Sequence, residues 1–310
     1  MMSKIAPSAT VERSAELAPD VDVGPGCYVG PHVTIGPGTR LLANVTILGN
    51  TSIGAGNIFY PACVIGAAPQ DLKYRGSDTK LIIGDQNIFR ESVTAHTGTE
   101  VAGGVTEIGS HNQFQVGTHL AHDVRIDNHC VLSNQVQVAG HVHIESHVTV
   151  SGMSGVQQFV TLGRYSFITG MARCSMDTPP YVIFGYDGYI QGVNVKGLGR
   201  WGFPEAVIQS LRDLCKLLFP KKAQNVTRFG LRALYGLWAG RRDDRVASTT
   251  LARRLQDAES VGPLNEHCRY LVEFMKRSIL QGVHGRYLES QRRDAGGPRP
   301  TFYAAGTAAS

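Results

Sequence analysis

Histidine is concentrated in one part of this chain, and its spacing there suggests chemistry. Seven of the eleven histidines lie between positions 111 and 147, and the sharpest local cluster is Thr118-His119-Leu120-Ala121-His122-Asp123. A histidine titrates near neutral pH, so it can act as a general base, and a neighbouring carboxylate can orient it. Histidine is also the commonest metal ligand, and solvated surface histidines would need no function at all. The cluster alone leaves these three interpretations open.

An apolar residue recurs at every sixth position through most of the first half of the chain. The period holds in three series, from Ile5 to Ile65, from Ile83 to Ala95 and from Ile108 to Ile168. A period of six fits neither an amphipathic helix nor a half-buried strand, and it is typical of a β-helix with one short strand per hexapeptide. Three hexapeptides make one triangular coil, so residues 18 apart should stack about 4.8 Å apart.

Stacking at this interval brings further groups to the histidine cluster. On one edge it places Gly140 above His122, Gln158 above Gly140, and His141 above Asp123. A base beside a backbone N–H with no side chain in the way suits acyl transfer. In that reaction a hydroxyl or amine attacks a thioester, and the resulting oxyanion must be held.

Two alternatives of other classes stay open at this point. Hexapeptide β-helices can carry zinc between subunits on three histidines and a water, and His119, His122 and His141 are the candidates here. Such a chain would be a trimeric metalloprotein similar to γ-type carbonic anhydrases. The other alternative is a structural solenoid without activity, and the clustering of histidine and glycine on one edge argues against it.

The hexapeptide pattern stops after Pro179-Pro180, which predicts a change of architecture. We predict a β-helix over residues 1–188, a helical domain over 189–291 and a disordered tail over 292–310. The pattern lapses twice, so excursion loops are expected near 67–80 and 98–107. Apolar spacing predicts helices at 204–219, 226–238, 249–258 and about 265–280.

Composition limits the function only weakly. A formal net charge of +5 permits an acidic partner but does not imply nucleic acid. Cys27, Cys63 and Cys130 fall at inward positions, and the six cysteines show no CxxC pair. The sequence contains neither a signal peptide pattern nor a run of 18 apolar residues, so we expect a soluble cytoplasmic protein without a transmembrane segment.

Several long motifs, in order and at matching spacing, resemble one enzyme family. They lie between about Ile5 and Phe219 and comprise PQDLKY (69–74), RESVT (90–94), HLAHD (119–123), LSN (132–134), AGHV (139–142), GM (152–153), QF (158–159), PPYVI (179–183), GVN (192–194) and GLGRWGF (197–203). The chain thus resembles the UDP-N-acetylglucosamine 3-O-acyltransferases, which open lipid A synthesis.

The resemblance implies a fold, a reaction and partners. The fold is mainly β, a left-handed parallel β-helix of hexapeptide repeats followed by a C-terminal α-helical domain. The reaction transfers a 3-hydroxyacyl chain from acyl carrier protein to the 3-position of UDP-N-acetylglucosamine, with the carrier-bound thioester as co-substrate and no cofactor. A 3-amino analogue of the UDP-sugar is the alternative acceptor. The resemblance further implies a homotrimer with its active sites in clefts between subunits.

The resemblance also implies roles for individual residues. His122 matches the general base, Asp123 its orienting partner, and the Gly140 N–H the oxyanion donor. Positions that match substrate contacts are Asp71, Lys73, His96, His119, Asn134, His141, Gln158, Asn194 and Arg200, the last two toward the nucleotide. The column Asn134, Gly152 and Gly170, with Met171 beside it, matches the surface that measures acyl chain length. No metal ligand is implied.

Four positions depart from the family pattern, all toward the nucleotide or the acyl chain. Gln157 replaces a histidine, Lys196 an expected acidic residue, Trp201 a second basic residue, and Gly185-Tyr186 a Gly-Asn pair. These changes bear on the exact sugar nucleotide and the chain length more than on the type of reaction.

Overall fold

Twenty-eight short strands in three sheets form the chain from Lys4 to Val193. The structure is a computed structural model, and it describes residues 4–220, 243–260, 262–282 and 285–292. Up to Arg173–Cys174, consecutive strands belong to the three sheets in turn, so the chain winds as a triangular prism, and the last two strands pair antiparallel in one sheet. Within the described residues, no helix is long and apolar enough to cross a membrane.

The strands are two to four residues long. Sheet 1 contains Lys4–Ile5, Asp22–Val23, Arg40–Leu41, Ile58–Phe59, Ile88–Phe89, Gln113–Phe114, Val131–Leu132, Thr149–Val150, Phe167–Ile168, Val182–Phe184 and Ile190–Val193. Sheet 2 contains Thr10–Val11, Tyr28–Val29, Thr46–Ile47, Val64–Ala67, Thr94–His96, His119–Leu120, Gln137–Val138, Gly155–Val156 and Arg173–Cys174. Sheet 3 contains Glu16–Leu17, Val33–Ile35, Asn50–Ile53, Lys80–Ile83, Val105–Ile108, Arg125–Ile126, His143–Ile144 and Thr161–Leu162.

The register of these strands confirms the predicted stacking interval. Where no loop intervenes, partners are 18 residues apart, as for Leu120 and Val138, except in the last coil, where Ile168 pairs with Phe184 at an offset of 16. Across the first excursion Ile65 pairs with Ala95, an offset of 30. Across the second, Phe89 pairs with Phe114, an offset of 25. The loops therefore change the residue offset between paired strands, but they do not change the order in which the chain passes through the three sheets.

The repeating apolar residues form one continuous core inside the prism. Phe59, Phe89 and Phe114 stack along its axis, with ring centroids 4.6 and 4.9 Å apart. Cys27 and Cys63 are buried at inward positions, as predicted, and all six cysteines are free thiols. Because the interior is filled with apolar side chains, any site for polar substrates must lie on the outside of the coil.

The corners account for part of the histidine enrichment. Every corner from His111 to Met171 has one residue in the left-handed conformation, three positions after the inward apolar residue. Asn, Asp and His tolerate this conformation better than most residues do. His111, His129 and His147 occupy such corners and stack as a ladder of rings 4.8 and 4.9 Å apart. These three histidines therefore have a structural role, away from His122.

The two excursion loops differ slightly from prediction. The first lies between the strands that end at Ala67 and begin at Lys80. The second contains a 3₁₀ helix at Glu100–Ala102 and is shorter than the predicted 98–107, since Val105–Ile108 is already a strand. Thr106 pairs with Leu81 there and is fully buried. A polar residue at an inward position concealed this strand from the apolar pattern.

Helices follow the last coil. They are α1 Val195–Arg200, α2 Glu205–Leu218, α3 Asp243–Ser260, α4 Glu266–Lys276 with a π-helical continuation at Arg277–Gln281, and α5 Tyr287–Ser290. The predicted helix 204–219 is confirmed by α2, whereas α3 begins six residues before the predicted 249, and α1 and α5 were not predicted. The predicted helix 226–238 and residues 293–310 of the predicted tail lie outside the described residues. The domain division after 188 stays a prediction.

A polar contact fixes α4 to the coils. The Tyr270 hydroxyl donates to Glu145 Oε1 at 2.6 Å, and the backbone N–H of Arg164 donates to Glu145 Oε2 at 2.8 Å. The Arg164 guanidinium lies 3.4 Å from the centroid of the Tyr270 ring, a cation–π contact. Because Glu145 is buried, these donors compensate the cost of removing its charge from water.

Candidate active site

The predicted site residues are distributed over three edges of the prism. The edge between sheets 2 and 3 carries His122, Gly140 and Gln158, and we call it the His122 edge. The edge between sheets 1 and 2 carries Asn134, Gly152 and Gly170, the Gly170 edge. The edge between sheets 3 and 1 carries His147 and Tyr165, against which Trp201 and Asn194 lie, the Trp201 edge. A single chain therefore does not bring these groups into one cleft.

His122 and Asp123 form a tightly coupled pair. His122 Nδ1 lies 2.7 Å from Asp123 Oδ2. A carboxylate only accepts hydrogen bonds, so Nδ1 carries the proton and Nε2 is left as the basic nitrogen. The side chain points away from the apolar interior, but only 5% of the residue is exposed. His122 is thus a buried base and not one of the solvated surface histidines without a function that the sequence also allowed.

Two threonines hold Asp123 in place. The Thr99 backbone N–H donates to Asp123 Oδ1 at 2.7 Å, and the Thr99 hydroxyl donates to Oδ2 at 2.6 Å. The backbone N–H of Asp123 donates to Thr106 Oγ1 at 2.7 Å. Sequence reasoning missed both threonines. Thr99 lies in the second loop, where the 18-residue rule does not apply, and Thr106 fell within the predicted loop 98–107, although its strand pairs with Arg125–Ile126 at the regular offset of 18.

Gly140 lies directly over the His122 ring, as the stacking rule predicts. A Cβ atom added to Gly140 would be 2.5 Å from His122 Cε1 and 2.8 Å from Nε2. Only glycine therefore lets the imidazole occupy this place beneath the backbone. The Gly140 N–H makes no hydrogen bond to any residue that the structure describes. It remains available to a bound group beside the basic nitrogen.

His141 completes the upper wall of this pocket. Its ring stacks on Phe159 with centroids 4.4 Å apart and meets the His122 ring edge-on at 5.1 Å. Burial lowers the pKa of His141 to about 4, although Asp123 nearby opposes that effect. His141 is therefore neutral near pH 7.

His96 and His119 line the lower wall. Burial lowers the pKa of His96 to about 4, and it also lowers the pKa of His119. His119 Nδ1 lies 2.7 Å from the Thr94 hydroxyl, whereas His96 Nδ1 is buried without a partner among the described residues. Of the four histidines around this pocket, His122 is the one with a carboxylate at hydrogen-bond distance, which distinguishes it as the base.

The first excursion loop brings Asp71 to the same pocket. Ligand atoms of Asp71, His122 and His141 all lie within 4.8 Å of one another. Asp71 Oδ1 accepts from the Lys73 backbone N–H at 2.9 Å, and Lys73 Nζ lies 3.7 Å from Asp71 Oδ2. The predicted zinc trio differs from this group, because His119 is not a member of it.

The remaining predicted contacts are more dispersed. Asn194 caps α1, since its Oδ1 accepts from the Gly197 N–H at 3.2 Å and its Nδ2 donates to the Tyr165 carbonyl at 2.9 Å. Its Oδ1 keeps a second lone pair and its Nδ2 a second hydrogen for a further contact. Arg200 is exposed at the end of α1, and Gln158 is exposed above Gly140. Trp201 lies edge-on to His147, with centroids 4.2 Å apart.

The predicted acyl column is continuous along the Gly170 edge. An added Cβ on Gly152 would lie 3.1 Å from the Asn134 carbonyl oxygen, and one on Gly170 would lie 3.5 Å from the Gly152 carbonyl oxygen. Met153 and Met171 beside the column are 68% and 72% exposed. The column thus presents bare backbone at Gly152 and Gly170, with an exposed methionine following each glycine.

Comparisons with known proteins agree with this architecture. A family model described as Udp N-acetylglucosamine O-acyltransferase, domain 2, matches residues 177–283. A relative from Anaeromyxobacter sp. (strain Fw109-5), named acyl-[acyl-carrier-protein]–UDP-N-acetylglucosamine O-acyltransferase, is 41% identical over 172 residues, or 55% of this chain and 67% of the relative. A Rhizobium etli protein of the same name is 41% identical over 172 residues, which are 63% of its length and 55% of this chain.

Solved structures extend the similarity over most of the chain. LpxA from Acinetobacter baumannii is 35% identical, with a TM-score of 0.74 over 87% of this chain and 95% of that one. LpxA from Bacteroides fragilis 9343, described as a UDP-N-acetylglucosamine acyltransferase, is 32% identical, with a TM-score of 0.76 over 88% of this chain and 96% of that one.

The coil, the His–Asp pair on its edge and the unhindered backbone above it define a hexapeptide-repeat acyltransferase. The chain belongs to the UDP-N-acetylglucosamine O-acyltransferase family. The fold class predicted from the sequence, a left-handed parallel β-helix followed by an α-helical region, is confirmed by the solved relatives.

Proposed function

We propose that this chain transfers a 3-hydroxyacyl group from acyl carrier protein to the 3-hydroxyl of UDP-N-acetylglucosamine, the first step of lipid A biosynthesis. The observation that carries the proposal is the His122 ring, held by Asp123 and lying beneath the Gly140 backbone. Relatives at 41% identity bear the name of this activity. The thioester is the co-substrate and no cofactor is required. Because the proposed substrates are a carrier protein and a nucleotide sugar of the cytoplasm, we also propose that the protein acts there.

The geometry defines the proton path. His122 Nε2 takes the proton of the sugar 3-hydroxyl as that oxygen attacks the thioester carbonyl carbon. The carbonyl oxygen becomes an oxyanion and accepts a hydrogen bond from the Gly140 N–H. When the intermediate collapses, the C–S bond breaks and the carrier thiolate takes the proton from the His122 imidazolium. Asp123 remains ionised and stabilises that imidazolium.

The substrates require contacts from more than one edge. We propose that Asp71, Lys73, His96, His119, His141 and Gln158 surround the sugar and the thioester on the His122 edge, and that Asn134, Asn194 and Arg200 contribute from the other edges. Purified chain should acylate UDP-N-acetylglucosamine in preference to its 3-amino analogue. Faster reaction with the amine would reassign the acceptor but keep the mechanism.

We propose a homotrimer, because the three edges cannot otherwise share one cleft. Asn134 and Gly140 lie on the two edges that bound sheet 2. The six residues from one to the other run around the outside of that sheet and span at most roughly 20 Å. A neighbouring copy can present its Gly170 edge to the His122 edge of the first. Light scattering should therefore give three times 33.5 kDa. A fully active monomer would contradict the shared cleft.

Thr99 is expected to act as a positioning residue for the base. Thr99→Val keeps the shape of the side chain and removes the hydroxyl bond to Asp123 Oδ2. We expect kcat to fall about tenfold, since a charge-assisted hydrogen bond contributes about 1.5–3 kcal/mol and only part of it bears on the position of His122. Steady-state kinetics should show the loss in kcat with KM nearly unchanged.

Thr99→Ser is the matched control, because it restores the hydroxyl and should recover most of the activity. Equal kcat in Thr99→Val and wild type, or a Ser variant as slow as the Val variant, would remove Thr99 from the mechanism.

Gly170 is expected to limit the length of the acyl chain. A side chain fits at Gly170 without a short contact, so Gly170→Met should fold normally. One coil corresponds to about 4.8 Å, or roughly four methylenes of extended chain. Since each buried methylene contributes about 0.8 kcal/mol, kcat/KM for the longest accepted chain should fall by an order of magnitude or more.

The measurement compares carrier proteins bearing 3-hydroxyacyl chains of roughly 10 to 16 carbons, the range that a groove of two to three coils can hold. Shorter chains should react as they do with wild type. An unchanged length profile in a folded, active Gly170→Met variant would show that this column does not measure the chain.

A further inference from the structure

The pocket around the base also has the composition of a metal site. Asp71, His122 and His141 each offer one ligand atom, and these three atoms all lie within 4.8 Å of one another. We propose that these three side chains bind one divalent transition-metal ion of the zinc class, and that the bound ion inhibits acyl transfer by occupying the base. The inhibition rests on the proposed function, whereas the binding does not.

The donor set suits zinc. Two imidazole nitrogens and one carboxylate oxygen, with a fourth position left for water, form the ligand set of open zinc sites. In tetrahedral geometry with bonds of about 2.1 Å, ligand atoms lie roughly 3.4 Å apart. The three ligand atoms lie up to 4.8 Å apart, so one of them must move closer to the other two when the ion binds. Asp71 can supply it, because it lies in the loop between the strands ending at Ala67 and beginning at Lys80.

The surroundings hold the two histidines in a metal-binding state. Asp123 accepts the Nδ1 proton of His122 at 2.7 Å, which directs the unprotonated Nε2 outward as in carboxylate–histidine–zinc sites. Phe159 stacks on His141 and fixes its ring plane.

One neighbouring cation opposes the ion. Lys73 Nζ lies 3.7 Å from Asp71 Oδ2, and a metal at Asp71 must compete with it. The side chain of Lys73 is 33% exposed, so its ammonium can move toward solvent when the ion binds. Removal of this charge in Lys73→Met should therefore tighten metal binding, a result that a site elsewhere on the chain would not give.

The test of binding uses Co²⁺ and Zn²⁺ alone with metal-stripped full-length protein. We expect the visible absorption of tetrahedral Co²⁺ at one ion per chain, and displacement of that ion by Zn²⁺. Asp71→Ala and His141→Ala should each abolish the signal. His143→Ala is the matched control, because it removes another histidine paired with a carboxylate, 3.1 Å from Asp127, without touching the pocket. His129→Ala should likewise keep the signal, since the ring ladder is a separate histidine cluster.

Bands that survive both Asp71→Ala and His141→Ala, or an octahedral aqueous Co²⁺ spectrum in the wild type, would overturn the site. Melting curves of each variant establish that it is folded, and Asp71→Asn provides a second variant of unchanged shape at the loop position.

Activity is then measured in excess chelator and after addition of Zn²⁺. At a free Zn²⁺ concentration ten times the measured Kd, acyl transfer should fall about tenfold and return when chelator is restored. An active enzyme that binds no Co²⁺ overturns the metal proposal and leaves the function intact. A protein that binds Co²⁺ but transfers no acyl group in chelator overturns the proposed function and leaves the metal site intact.

Discussion

Replacing His122 with alanine is expected to lower kcat by roughly 10²–10⁴-fold, the range that general-base catalysis supplies. The side chain lies outside the apolar core, so the strands on either side, His119–Leu120 and Arg125–Ile126, keep their pairing. The substitution does leave Asp123 without one of its partners, but Thr99 still donates to both carboxylate oxygens. We therefore expect only a small decrease in melting temperature. Steady-state assays with saturating substrates, together with a thermal melt, measure both effects.

His143→Ala is the control for this experiment. His143 is also paired with an aspartate, but it lies on sheet 3 away from the pocket. Its loss should leave kcat within about a factor of two, since surface substitutions of this kind usually change stability by less than 0.5 kcal/mol and here touch no substrate. If folded His122→Ala kept more than about a tenth of the wild-type kcat, the base would have to be another residue.

Gly140→Ala is expected to reduce kcat by about 10²–10³-fold, comparable to the loss of one oxyanion donor. The structure supplies a second reason for the loss. A methyl group at Gly140 would lie 2.5 Å from His122 Cε1, so the ring must tilt away and lengthen its bond to Asp123. The substitution thus disturbs the base and crowds the N–H donor at the same time. The KM for the sugar nucleotide should change far less than kcat.

Gly155→Ala is the matched control, because Gly155 lies one coil above on sheet 2 and an added Cβ there meets nothing within 4 Å. It should retain wild-type kinetics. Normal turnover in a folded Gly140→Ala variant would mean that His122 tolerates the displacement and that the oxyanion is held elsewhere.

The counting rule derived from the hexapeptide period could predict much of the pocket. It placed Gly140 over His122 and His141 over Asp123, and the structure confirms both, with His141 Nδ1 lying 3.7 Å from Asp123 Oδ2. It worked because parallel strands of equal length force a constant offset between coils. It failed where loops break that offset, as between Phe89 and Phe114. For this reason Thr99 could not be linked to Asp123 from the sequence, whereas Thr106 was missed because it fell within the predicted loop 98–107, although its strand keeps the regular offset.

The burial of His122 could not be predicted from the repeat pattern either. An outward position predicts exposure, yet His122 is covered, because Gly140 lies over its ring and His141 packs edge-on against it. Asp71 could be placed near the base only by resemblance to the family, since the first loop has no periodic register. In contrast, the repeat pattern could predict that His122 and Gly170 lie on different edges, because positions six residues apart occupy successive edges.

Acyl transfer by the purified chain is the most direct measurement of its function. The reaction contains 3-hydroxyacyl carrier protein, UDP-N-acetylglucosamine and a chelator, and the product is identified by mass and by the position of the new ester. We expect the 3-O-acylated sugar nucleotide to form with wild-type protein and not with His122→Ala. The absence of acyl transfer to this sugar nucleotide or to its 3-amino analogue, by a folded trimer, would contradict the proposed function.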